Sequence, residues 1–303
     1  MGRFANTASY IFGQPVSSDS GYVVLSIDEL MEKSVPHCFV LKWQRDKFVE
    51  VGKEGWIPAG ITKCVVDNSV VIVGNFGASL EINDAGVIRE LYLDSKSPDN
   101  SKISTRGPLR CVRLIGDKVY AVGGDRQAFR RESAGSWYPI DDSARPEFDN
   151  TTVYGFESVD GFAEDDIYAA GWKGEIWHFD GSTWRMKPSP TNLLLTTICC
   201  GEDGVVYIAG REGLLLSGRD DQWDIIDTGD VRADFWNATW FDGFLYLSGM
   251  QGLFQLNDGN LDLVDPGLGP TSFNTLAIND GQMWSIGATD IIAFDGAQWW
   301  RID

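Results

Sequence analysis

Residues 167–184 read IYAAGWKGEIWHFDGSTW. The first five, IYAAG, are apolar and close on glycine; WKG turns the chain; EIWHF alternates polar with apolar; DGST turns it again; and Trp184 opens a further strand. Alternation places successive side chains on opposite faces of a sheet, and Asp-Gly supplies the positive φ of a tight hairpin, so the stretch predicts consecutive antiparallel strands. The glycine-ended run recurs as VVIVG at 70–74, VYAVG at 119–123, VYIAG at 206–210, LYLSG at 245–249 and MWSIG at 283–287. A further copy, YVVLS, ends at Ser26. From Ser26 onward the steps are 48, 49, 48, 39, 39 and 38 residues. Seven copies about 43 residues apart match a four-stranded propeller blade.

The flanks of each run repeat as well. A polar turn precedes it, as in VDNS at 66–69, AEDD at 163–166 and FDG at 241–243, and an alternating strand follows it. Past the next turn, Trp137, Trp184, Trp223 and Trp299 hold equivalent places. That register predicts packing between blades. Helical periodicity is confined to SIDELMEKS at 26–34, an insertion between two strands of the first copy. SYIFG near the start supplies the first strand of blade one, and QWWRID the last strand of blade seven, so no strand is exchanged between the ends. Closure then rests on packing, with Trp299, Trp300 and Ile302 as stability residues.

HFDGSTW at 178–184 and AFDGAQW at 293–299 are similar to repeats of bacterial propellers and to the sialidase Asp-box, S-x-D-x-G-x-x-W, short by one residue. Gly123-Gly124 matches the kelch signature and Trp223-Asp224 the WD ending, once each. The chain resembles a seven-bladed β-propeller of the kelch, WD-repeat and bacterial Asp-box-like group, over nearly all of its length. The resemblance implies an all-β domain with blades near 1–57, 58–105, 106–150, 151–190, 191–230, 231–269 and 270–303. Six blades would result if 1–51 formed something else. Fold alone assigns no activity.

The 25 basic and 44 acidic side chains leave a net charge of −19, which repels nucleic acid and anionic lipid. No apolar run approaches the roughly 20 residues of a membrane span, and the start lacks a secretory core, so a cytoplasmic protein is expected. Five cysteines without a C-x-x-C pair read as free, mostly buried thiols. Two histidines, His37 and His178, exclude a His-rich zinc site and carry no nucleophile motif, and the acidic turns are too short to wrap calcium. Neither a cofactor nor a metal is expected.

In such a fold, turns between second and third strands and connections between blades gather on one face. The turns offer Phe76, Arg126, Trp172, Lys173, Arg211, Glu212, Met250 and Gln251, a mixture of large apolar residues and arginine suited to a protein interface. The connections, LDSKSPDNSKIS at 93–104, DDSARPEFDN at 141–150, DTGDVRADFWN at 227–237 and DPGLGPTS at 265–272, are mostly acidic. They offer Asp141, Asp142, Glu147, Phe148, Asp149, Asp234, Phe235 and Trp236. Acid there would steer a basic partner, and the aromatics would hold it.

A sialidase-like activity would need arginines converging from several blades, but Arg126, Arg130 and Arg131 lie in one, and alternation splays the last two. The composition therefore favours a non-enzymatic, protein-binding propeller, an inhibitor or immunity protein that neutralises a basic effector or toxin and is a monomer without it. A glycan- or small-molecule-binding propeller, with or without hydrolase or lyase activity, is the alternative. An assembly scaffold comes third.

Overall fold

The computed structural model describes residues 7–83, 85–90, 106–146, 154–269, 271–279 and 281–303. Its strands form seven four-stranded sheets, each antiparallel and ordered as the chain runs. They are the blades of a seven-bladed β-propeller, spanning 8–54, 58–90, 109–139, 156–187, 195–225, 235–264 and 275–301. The short helix Asp28–Glu32 joins the second and third strands of blade 1, with Asp28 and Glu29 in its first turn. The chain divides into two compact units: blades 1, 6 and 7 in one, blades 2 to 5 in the other.

In the first unit, the opening strand Ala8–Ser17 lies against blade 7. Tyr10 N–H donates to the Ala288 carbonyl (3.0 Å), and Thr275 Oγ1 donates to the Ile11 carbonyl (3.3 Å). The Tyr10 hydroxyl donates to Asp303 Oδ2 at 2.6 Å. Beneath these bonds Trp284, wholly buried, meets Trp43 edge to face with centroids 5.4 Å apart, among Tyr10, Val23, Ile286 and Ile302. Both ends keep their strands in their own sheets, so this seam is closed by packing. Ile302 and Trp300 belong to it, whereas Trp299 faces blade 6, stacked on Phe294 at 4.5 Å.

In the second unit blades 3, 4 and 5 each pack on the preceding blade through the tryptophan of the fourth strand. Trp137 joins blade 3 to blade 2, and Trp184, with Phe156 and Phe179 at 5.4 and 5.1 Å, joins blade 4 to blade 3. Half-buried Trp223 meets Tyr168 of blade 4 at 6.1 Å. Arg131 points into the blade 2–3 seam, pairing with Glu81 and with Asp67 (2.9 Å), while its neighbour Arg130 turns to Glu132. Alternation separated these two arginines; the acids that hold Arg131, buried Glu81 and half-buried Asp67, come from the neighbouring blade.

The Trp43–Trp284 contact requires a bare backbone at Gly21, where an added Cβ would overlap the Trp284 ring. Gly21→Ala should therefore cost about 1–3 kcal/mol through overpacking. Gly55→Ala, with nothing within 4 Å of its Cβ, should be neutral or gain up to about 1 kcal/mol. Urea unfolding midpoints of the two variants test the pair. Equal midpoints would contradict a tightly packed seam.

Candidate functional site

One local irregularity recurs through blades 1 to 6. At the start of each first strand the register slips, so that one residue is left without a partner across the ladder: Ile11, Ala59, Arg110, Glu157, Thr196 and Trp236 in turn. Such bulges bend the strand and re-aim a side chain. In blades 3 to 5 the bulge lies beside the turn between second and third strands, because the residue after the run-ending glycine bonds back to the chain just ahead of it; Gly124 N–H donates to the Pro108 carbonyl at 2.9 Å. Trp172 N–H donates to the Gly155 carbonyl at 3.1 Å and Arg211 N–H to the Leu194 carbonyl at 3.2 Å. In these three blades the bulge residue and the turn residues therefore form one surface.

In the second unit this surface is built around stacked rings and cations. Arg126 is buried and grips Glu175 through Nε and Nη2 at 2.7 and 2.8 Å. Its guanidinium lies between the rings of Tyr154 (4.3 Å) and Trp177 (4.8 Å), and the Lys173 ammonium sits 5.0 Å from the Tyr154 centroid. Lys173 is exposed and left-handed, φ 59°, a conformation shared by Glu212 in the next blade. Between these turns Glu157 Oε1 accepts from the Trp172 indole N–H at 2.7 Å and stands 3.8 Å from Arg110. Burial pushes the Glu157 carboxyl above its ordinary value, against the pull of Arg110, Trp172 and Arg211.

One layer deeper, Arg113 pairs with Asp160 at 3.4 Å and donates to the Ile198 carbonyl. Burial raises Asp160 as well. The five cysteines are free, and burial pushes the Cys38 thiol up to about 12, which leaves it inert as a nucleophile. His178 is held by Asp166 at 2.9 Å, and the His37 ring bridges the Val35 carbonyl and the Ile27 amide. Among the described residues no three His, Cys, Asp or Glu side chains are placed to hold a metal ion.

The residues expected at an interface divide by burial. Phe76 (45% exposed), Asp142, Lys173, Arg211, Glu212, Trp236, Met250 (75% exposed) and Gln251 reach the surface, and Trp172 and Asp234 are half-buried. Asp141 is wholly buried, accepting from Arg106 and from Arg145 at 2.9 Å, so it organises the loop rather than steering a partner. Arg126 is likewise committed to Glu175, and Phe235 is core, edge-on to Phe254 at 5.8 Å. Glu147, Phe148, Asp149 and the stretch 93–104 lie outside the described residues. In the first unit, the bulge places Trp236 beside the Met250–Gln251 turn, since Phe235 pairs with Gly249.

Arg110, Tyr154, Glu157 and Glu175 were not legible as site residues. Their only sequence signal is a charge or ring beside a repeat's first or third strand, and the bulge that turns Arg110 and Glu157 is a pairing feature with no residue signature. The fourth strands of blades 1 to 6 each expose one apolar side chain, Val49, Ile88, Tyr138, Met186, Ile225 and Leu263, and such single residues are ordinary surface.

No family model matches the sequence. Over 301 residues, 97% of each chain, it is 41% identical to the immune protein Tsi7 of Pseudomonas aeruginosa. The chain belongs to the Tsi7 immune-protein family. Among solved structures, this Tsi7-family chain is similar to virginiamycin B lyase from Staphylococcus aureus in an inactive form with quinupristin: TM-score 0.72, 10% identity, covering 97% of this chain and 96% of the other. It is also similar to the WD40 β-propeller domain of Doa1: TM-score 0.70, 10% identity, covering 96% and 93%. At such identities the likeness to both is one of fold.

Two substitutions separate the structural members of this Tsi7-family surface from the free ones. Arg126→Ala, which leaves Glu175 without its buried partner, should cost about 3–5 kcal/mol, whereas Lys173→Ala should stay within about 0.5 kcal/mol. Denaturant titration distinguishes them. Because burial raises Glu157 in the folded state, its contribution is fully present below the unfolded pKa and is lost as pH rises through the folded one. Glu157→Gln keeps an acceptor for Trp172, so it should gain stability relative to wild type as pH rises through that window and hold a constant difference above it. A difference independent of pH would refute the assignment.

Proposed function

We propose that this immune protein works by binding: it occludes a basic toxin, as a monomer, in the cytoplasm of the cell that makes it. The observation that carries the reading is the 41% identity, end to end, with an immune protein. Charge supports the partner's sign. A chain at −19 attracts a cationic protein over several ångströms and speeds the encounter.

The scaffold supports binding without catalysis. Arg126–Glu175 and Arg106–Asp141 are largely buried beside the blade 3 turn, so little ordering is needed there on association. Exposed Met250 and Trp236 supply the apolar contact on the first unit, at a place where substitution leaves the core alone.

The test is co-expression. A partner captured from native lysate, identified and shown to be toxic when expressed alone, should be harmless in cells that also make this chain. The purified pair should dissociate more readily as ionic strength rises from about 0.05 to 0.5 M. Met250→Asp should leave stability within about 0.5 kcal/mol while weakening the complex roughly 30-fold. Wild-type chain that gives no protection would sink the reading.

A further inference from the structure

Within a strongly acidic chain, cations collect where blades 3 to 5 turn from second to third strand. Arg106 and Arg145 are held there by Asp141, and Arg126 by Glu175. Three others are not neutralised in this way. Among the described residues neither Lys173 nor Arg211 makes an ion pair, and Arg110, 45% exposed, has only Glu157 at 3.8 Å. Glu157 is itself engaged by the Trp172 indole, and its burial raises its proton affinity. Among the described residues of these turns and of the connections that join blades 3 to 5, the exposed acids are Asp142 and Glu212, and Asp142 lies 3.1 Å from Arg145.

We propose that the Arg110, Lys173 and Arg211 cluster around Trp172 receives an acidic segment of the toxin. This rests on the reading that the chain binds a toxin and names the chemistry of one contact. The segment's carboxylates take the three cations, and the half-buried Trp172, fixed by its bond to Glu157, gives the segment an apolar floor. The long-range field brings a basic protein in; a local reversal of sign then sets its register and rejects basic proteins that lack the acidic segment. A nucleic acid is disfavoured at the same cluster because its whole backbone would meet the field of the acidic chain, whereas a short acidic stretch within a basic protein does not.

The turn tolerates the needed changes. Glu212 already occupies, in blade 5, the left-handed position that Lys173 holds in blade 4, so Lys173→Glu is compatible with that backbone. Arg211 occupies the place of Trp172, so that position accepts different side chains. The experiment measures binding of the purified toxin to wild type, to Lys173→Glu with Arg211→Glu, and to the charge-preserving pair Lys173→Arg with Arg211→Lys, with unfolding midpoints as the folding control. The expected result is binding about a hundredfold weaker for the reversed pair and within about threefold of wild type for the preserving pair. Reversed-pair binding equal to wild type overturns the proposal while leaving toxin binding intact. Failure of the wild type to bind the toxin overturns both. Binding of a short DNA oligonucleotide to the free wild-type chain, lost in the reversed pair, would replace the acidic segment with nucleic acid and overturn it too.

Discussion

Face-to-face burial of neighbouring sheets by a large aromatic side chain is the constraint on which both units depend. A four-stranded sheet this short buries too little by itself, and it becomes stable when a neighbour covers its face. Trp284 against Trp43 over Gly21 does this at the blade 1–7 seam, and Trp184 between Phe156 and Phe179 does it between blades 3 and 4. At Gly21 the fit is steric: the Trp284 ring needs the absent Cβ as much as it needs apolar neighbours.

The same seams decide where charge resides. The chain has few cations for its acids, and several are drawn inward to close contacts between blades: Arg131 to Glu81, Arg126 to Glu175, Arg113 to Asp160. Each pair ties two neighbouring blades together, and each withdraws most of its two charges from the solvent. What remains outside is an acidic surface interrupted at blades 3 to 5 by unpaired cations beside an aromatic ring. Rigidity and sign are thus set by one set of interactions, and both matter for a protein that works by fitting a partner.

Much of the fold was legible. The glycine-ended run, the Asp-Gly turns and the registered tryptophans are local patterns, and a strand's two-residue period is fixed by its own backbone, so seven sheets and their hairpins could be read from the chain. The alternation that parts Arg130 from Arg131 is of the same kind. The site was legible only as a set of turn residues. Phe76, Met250 and Lys173 reach the surface as their turn positions suggest, but Asp141, Arg126 and Phe235 do not, because residues from another strand, or from the next blade, claim them.

The sequence by itself determined the repeat, the strand order, the absence of an exchanged strand and the net charge, since each depends on neighbours along the chain or on a sum over it. Only the tertiary structure decided which charges cancel and which stay free. Arg126 and Lys173 sit in equivalent-looking turns, yet one finds a carboxylate in the next blade and the other finds a tyrosine ring. The bulges that re-aim Arg110, Glu157 and Trp236 belong to the pairing of two strands, so no single segment encodes them. Electrostatic partners are chosen by distance in space, and distance in space is what folding adds to sequence.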